Sequence, residues 1–213
     1  VRAGDRDYNK FARDRPFRHS LINQGFDFME ITLDQKIPDH VAMLVIADMK
    51  VPLSEKAKAH LDNYLAEGRN ILIAGEPRLQ AVMNPLLALF GVRLMPGRLV
   101  KESENYQPDF IIATPTPEAG ELSYHFAMMI RREQVITMPG CCGLEYLTDR
   151  GFKAIPLFVS DTTGGWNELE TTDFIDDTIR LNPAAGEVER AYVTALALSR
   201  RVGEKEQKIV ILG

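Results

Sequence analysis

The stretch from Val41 to Pro77 constrains the fold more than any other part of the chain. Val41 to Ala47 (VAMLVIA) is an almost unbroken apolar run of strand length, the pattern of a strand covered by helices on both faces. It ends at Asp48. Ser54 is a helix N-cap, and the spacing of Ala57, Leu61, Tyr64 and Leu65 places one apolar stripe on the helix that follows. Gly68 closes that helix, and Asn70 to Ala74 (NILIA) forms a second strand running into Gly75-Glu76-Pro77. Two such strands around one helix are parallel neighbours joined by a right-handed crossover. Both acidic turns then leave the sheet at one edge, where open α/β sheets bind ligands. The expected class is α/β, with a doubly wound, mostly parallel sheet.

The rest of the chain is read as additions to this unit. Tyr8 to Gln24 has a rough helical face interrupted by Pro16, and Phe26 to Leu33 alternates as a strand. Asn84 and Pro85 are read as the cap and first residue of a helix carrying Leu86, Leu87, Leu89 and Phe90. Val92 to Val100 holds Pro96-Gly97 between apolar pairs, the pattern of a short hairpin. Phe110 to Ala113, Phe126 to Ile130, Val135 to Met138 and Ile155 to Val159 are short apolar runs without helical period. They make residues 93–161 a β-rich insertion or extension of a single domain over 1–213. Asp161 to Leu181 is a polar excursion anchored by Trp166. Tyr192 to Leu198 and Lys208 to Leu212 form a terminal hairpin or strand pair.

Charge narrows the classes of partner. With 25 basic and 30 acidic residues the formal charge is -5, and no basic run has the density that nucleic acids or anionic membranes require. A nucleic-acid partner is not expected. No apolar stretch reaches the roughly 20 residues of a membrane span. The chain starts at Val1 and stops directly after a core-type strand, the expectation for an excised soluble segment of a longer membrane protein.

Four groups of residues bear on chemistry. Cys141 and Cys142 sit in the glycine-flanked turn Pro139-Gly140-Cys141-Cys142-Gly143, where a thiolate nucleophile with His125 as base is conceivable; the alternative is a pair of small buried apolar groups. Neighbouring Cα atoms lie only about 3.8 Å apart, too close for ordinary disulfide geometry. His19, His40, His60 and His125 show no metal-binding spacing, so no metal or other cofactor is expected, and His60 is read as solvated. Glu168, Glu170, Asp173, Asp176 and Asp177 are read as a solvated acidic loop, because they lack a calcium-loop pattern. Asp48, Lys50, Glu76 and Arg78 occupy the two turns at the carboxyl edge. They are the candidate ligand-binding set, for a sugar or peptide, with solvated loop charges as the plainer alternative. Phosphate-binding glycine loops and a nucleophile elbow of the G-x-S-x-G kind are absent.

The order of pieces resembles the GldG-type auxiliary components of ABC transport systems linked to gliding motility. The resemblance is carried by Phe17-Arg18-His19-Ser20-Leu21, Gly25-Phe26-Asp27, Leu44-Val45-Ile46-Ala47 with Pro52-Leu53-Ser54, and Leu65 through Pro77. Asn84-Pro85-Leu86-Leu87, Phe90-Gly91-Val92 and Gln207 through Gly213 continue it. It implies a flavodoxin-like, class I glutamine amidotransferase-like fold, shared with a domain of an intraflagellar-transport protein. It also implies an extracytoplasmic, periplasmic position beside the inner membrane, with the membrane and ATPase subunits of the transporter as partners. Active amidotransferases carry a cysteine in the elbow after the strand that Asn70 to Ala74 resembles. Here the elbow reads Gly75-Glu76-Pro77, and a glutamate cannot replace a thiolate nucleophile. The expectation is a non-catalytic ligand- or protein-binding domain. A hydrolase or amidotransferase-like enzyme using Cys141 or Cys142 is the alternative.

Overall fold

A computed structural model describes residues 21–47, 49–171, 173–174 and 179–213. Its organising unit forms as the residue pattern requires. Strand β1 (Met43–Ile46) is followed by helix α1 (Glu55–Ala66), which opens where the Ser54 hydroxyl oxygen accepts the Ala57 amide at 3.1 Å. The buried residues of α1 are Ala57, Leu61, Tyr64 and Leu65. Strand β2 (Asn70–Ala74) lies parallel to β1, with Met43 opposite Asn70 and Ile46 opposite Ile73.

Helix α2 (Gln80–Leu87) leads into strands β3 (Val92–Leu94), β4 (Arg98–Lys101) and β5 (Phe110–Pro115). Two short helices follow, α3 (Pro117–Gly120) and α4 (Tyr124–Arg131), capped by the side chains of Thr116 and Ser123. Then come β6 (Ile136–Pro139), β7 (Leu144–Tyr146), β8 (Lys153–Ser160) and β9 (Gly165–Glu168). The chain ends in the hairpin of β10 (Val193–Val202) and β11 (Lys205–Leu212). Seven strands make one sheet in the order β1-β2-β11-β10-β8-β5-β6, while β3-β7 and β4-β9 form two-stranded ribbons.

Alternation along the strands sorts the core into two layers. Ile209 and Ile211 join Leu44, Ile46, Ile71, Ile73, Leu196 and Leu198 beneath α1 and α2. Val210 and Leu212, one residue out of step and so on the opposite face, pack with Ala195, Leu157 and the α3–α4 residues Ala119 and Phe126. A separate cluster gathers Val100, Trp166 and Ile179 around β4 and β9, so Trp166 does anchor the excursion that begins at Asp161.

The doubly wound expectation is corrected by this topology. Only the β1-β2 and β2-β11 pairs are parallel; β11-β10, β10-β8, β8-β5 and β5-β6 are all antiparallel pairs. The sheet is mixed and curled into a half-barrel, and the fold is β-rich. The strand–helix–strand unit of Val41 to Pro77 is genuine, but a hairpin and antiparallel strands extend it where further crossovers would be needed. Strands β5, β6 and β8, read from the sequence as part of an insertion or extension, belong to this same main sheet.

Local expectations shift for identifiable reasons. Phe26 to Leu33 forms no strand: Phe26 and Met29 are exposed, and Leu33 is held in the core by a turn rather than a ladder. Asn84 lies inside α2 with Pro85, because its side chain is engaged elsewhere, accepting the Leu94 amide at 2.8 Å and donating to the Leu94 carbonyl at 3.2 Å. Val92 to Val100 yields two strands that do not pair with each other. Met95 and Leu99 donate to the carbonyls of Gly143 and Cys141, and β3 and β4 take β7 and β9 as partners. Phe126 to Ile130 is helical, since Ser123 caps it and Phe126 and Met129 fall on one side. Of the helix expected over Tyr8 to Gln24, residues 8–20 lie outside the described residues, and Leu21–Gln24 is a single 3-10 turn.

Candidate functional site

At the carboxyl edge of β1 and β2, Lys50 and Glu76 approach each other, Nζ to Oε1 at 3.9 Å, with the Lys50 side chain exposed and that of Glu76 partly so. A pair in that setting contributes at most about 1 kcal/mol. Arg78 is exposed and adopts a left-handed backbone at φ 69°. Asp48 lies outside the described residues. On the β11 side of the second turn the edge is tightly closed. The Gly75 amide donates to the Leu212 carbonyl at 2.8 Å. A Cβ at position 75 would stand 2.7 Å from that same oxygen and 2.8 Å from Leu94 Cδ2. The Gly75-Glu76-Pro77 turn, expected from the sequence to match an amidotransferase nucleophile elbow, therefore has no space for a projecting side chain at Gly75.

The fold brings Cys142 beside this turn although 66 residues of chain lie between Gly75 and Cys142. Its thiol donates to the Gly97 carbonyl at 3.3 Å and accepts from Gln80 Nε2 at 3.6 Å. Cys141 is buried among Met95, Leu99, Ile111 and Tyr192. Burial pushes both thiols up to about 12, with the neighbouring Cys142 adding to the effect on Cys141. They are neutral at physiological pH. Among the described residues, no histidine or carboxylate hydrogen-bonds to either sulfur. His125 sits exposed on α4, its ring edge-on to Tyr124.

Two other expectations are revised by burial. His60 is half-buried, with Nδ1 2.8 Å from the Leu33 carbonyl, and ties α1 to the preceding loop. Glu168 is 3% exposed and is a structural cap rather than a solvated charge. Its carboxylate accepts the Thr171 amide at 2.8 Å, the Glu170 amide at 3.0 Å and Trp166 Nε1 at 3.1 Å. Asp176 and Asp177 lie outside the described residues. Among the described residues, no three His, Cys, Asp or Glu side chains converge as a metal ion would require.

A groove of about 690 Å3 opens elsewhere, between the start of β3, the β7 strand with its following turn, and the start of β10. Arg93, Glu145, Arg150 and Arg190 supply its charges, and Leu147 and Tyr192 part of its apolar wall. Arg93 and Glu145 are cross-strand partners, Nε donating to Oε2 at 2.6 Å. The Arg190 guanidinium stacks over the Tyr192 ring at 4.7 Å, and Tyr192 is itself fixed by its hydroxyl proton, shared between Asn167 Oδ1, 2.8 Å from the hydroxyl oxygen, and the Val188 carbonyl. Arg150 lays its stem against Gly91, where a Cβ would be 2.5 Å from Arg150 Cγ. None of Lys50, Glu76 and Arg78 lines this groove. Sequence reasoning missed it because its arginines come from three separate elements, each an unremarkable surface residue in its own segment.

The domain is a mixed, curled, β-rich sheet with helices on both faces. Its fold is similar to that of a solved structure described as the mmIFT52 N-terminal domain. The TM-score is 0.59 at 12% identity, over 91% of this chain and 75% of that one. No curated protein sequence matches the chain. The family model for the auxiliary component of an ABC-type uncharacterized transport system matches residues 3–213, and the chain belongs to that family.

Proposed function

We propose that the chain is a non-catalytic, extracytoplasmic binding domain of the auxiliary subunit of an ABC-type transport system, in contact with the membrane and ATPase subunits of that transporter. The observation that carries this reading is the state of the elbow region. The turn after β2 is packed shut at Gly75, and the nearby thiols are buried and neutral, while an open groove lies on β3, β7 and β10. A thiol nucleophile needs a lowered pKa and access to substrate, and Cys141 and Cys142 have neither. Family membership supplies the transport context. The GldG-like sequence blocks make gliding machinery the first transport system in which to look.

The test is to tag the full-length parent protein in its native host, extract the membranes in mild detergent, and identify what co-purifies. The expected result is stoichiometric recovery of an ATPase and a membrane-spanning subunit, unchanged when Cys141 and Cys142 are both replaced by alanine. Recovery of the parent protein alone would overturn the transporter reading. Loss of function caused by the cysteine replacements in a protein that remains folded would overturn the non-catalytic one.

A further inference from the structure

From the groove between β3, β7 and β10 we infer that this domain binds a small amphipathic oxyanion, its charged head held by Arg150 and Arg190 and its apolar body lying on Leu147 and the wall beside Tyr192. The inference rests on the binding-domain reading and gives it a ligand class.

Three observations carry it. First, the charges are unbalanced. Arg93 is matched by Glu145, but among the described residues no carboxylate lies within ion-pair distance of Arg150 or Arg190. The chain as a whole carries 30 acidic residues against 25 basic ones, so two guanidiniums without a carboxylate beside one hollow run against its average. Second, the Arg190 head and the Arg150 stem are each seated without an ion pair among the described residues. Arg190 is stacked on a tyrosine ring that is hydrogen-bonded in place, and the Arg150 stem rests on Gly91, whose lack of a side chain leaves room for it. A guanidinium oriented by stacking loses less entropy on meeting a planar oxyanion, which it can engage through two parallel hydrogen bonds. Third, the size and the wall fit. A volume of about 690 Å3 suits a small molecule, and Leu147, a 54% exposed leucine at its rim, gives an apolar body somewhere to lie.

The experiment uses two fluorescent probes that share one aromatic body, 8-anilinonaphthalene-1-sulfonate and its uncharged counterpart N-phenyl-1-naphthylamine. The sulfonate is expected to bind saturably and at least tenfold tighter than the neutral probe, with affinity falling as salt rises. That advantage is expected to vanish in the Arg150→Gln, Arg190→Gln double variant and to persist in Arg201→Gln, an exposed change on the distant end of β10. Circular dichroism and the thermal midpoint confirm that each variant is folded. Competition then identifies the head: displacement by laurate and not by phenyl phosphate assigns a carboxylate, and the reverse assigns a phosphate. Equal affinity for the two probes, a sulfonate advantage that survives the double variant, or failure of both competitors would overturn the inference. The two readings fail separately, because co-purification of transporter subunits is scored on the wild-type parent without reference to probe binding.

Discussion

The side-chain amide of Gln80 rests on the sulfur of Cys142 at 3.6 Å while the same nitrogen donates to the carbonyls of Met95 and Gly97. The cysteine is thus enclosed by the first turn of α2 and the Pro96-Gly97 bend, and among the described residues no base hydrogen-bonds to its sulfur. In the folded protein, alkylation by iodoacetamide at pH 8 is expected to be slow at both cysteines and to follow the rate of global unfolding. Peptide mass analysis of labelling at increasing urea checks this. Rapid labelling of either residue in native buffer would refute the neutral, enclosed thiol and reopen the cysteine-enzyme alternative.

The same burial sets the alkaline limit. Both thiols are raised from 9.0 to about 12 in the fold, and burial raises Tyr64 as well. Groups raised in this way contribute stability that is complete below their unfolded values and lost as pH climbs through the folded ones. The unfolding free energy measured by urea titration is therefore expected to fall between pH 9 and 12, by up to about 1.4 kcal/mol per thiol for each pH unit. The Cys141→Ala, Cys142→Ala variant should show a shallower decline. An identical slope in the variant would mean that the thiols ionise freely.

Tyr64 joins the two strands of the organising unit through one oxygen. It accepts the Leu44 amide at 2.9 Å and donates to the Asn70 carbonyl at 2.6 Å, with the Arg69 guanidinium over its ring at 4.3 Å. Tyr64→Phe keeps the packing and strands both backbone groups, so it is expected to cost about 1–3 kcal/mol. Chemical denaturation measures the loss. A change below about 0.5 kcal/mol would show that water replaces the hydroxyl.

Such links mark where the sequence is legible and where it is not. The α1 stripe, its Ser54 cap, the two parallel strands and the terminal hairpin are local patterns, and each appears as its residues require. The architecture of the sheet is not local. β11 pairs with β2 through Ile209–Ile71 and its neighbours, across most of the chain, and that choice decides mixed against doubly wound. A continuous apolar run such as Val41 to Ala47 records burial on two faces without recording the direction of the strand beside it. Ser123 was available as a cap for α4, but the short run Phe126 to Ile130 has no length to separate helix from strand. In the groove, Arg190 acquires its role only from Tyr192 beneath it and from β3 and β7 opposite.

Acid is expected to loosen the β9 region first. Burial alone would raise the Glu168 carboxyl, but the Thr171 and Glu170 amides, the Trp166 indole and a hydrogen bond with the Glu187 side chain together outweigh it and hold the group below its ordinary value. Its contribution is present above the unfolded value and disappears as pH falls through the lower folded one. Trp166 fluorescence should therefore change below about pH 4.5 before far-ultraviolet circular dichroism does. Glu168→Gln, which places a donor against these donors, is expected to cost about 1–3 kcal/mol at neutral pH and to flatten the acid dependence. Coincident transitions with an unchanged acid slope in the variant would count against this cap.

Gln207 is the polar residue on which the docking of α1 to the sheet turns. It is fully buried on β11, its Nε2 donating to the carbonyls of Leu65 at 3.0 Å and Arg69 at 2.9 Å, and its Oε1 accepting from Arg200 Nε at 2.7 Å. The Leu65 carbonyl belongs to the last turn of α1, where helical carbonyls lack intrahelical partners. Together with the Gly68 amide, which donates to the same Leu65 carbonyl at 3.1 Å, this side chain closes the end of α1, and it also fixes the turn from which β2 departs. Gln207→Leu conserves volume but removes all three bonds at once, and is expected to cost about 2–3 kcal/mol. Gln207→Glu should cost as much at neutral pH, because its carboxylate would face two carbonyl oxygens, and should recover part of the loss as acid protonates it. Equilibrium unfolding of the two variants at pH 7 and pH 5 separates these effects. A Gln207→Leu variant as stable as the parent would show that α1 is held by its apolar stripe alone.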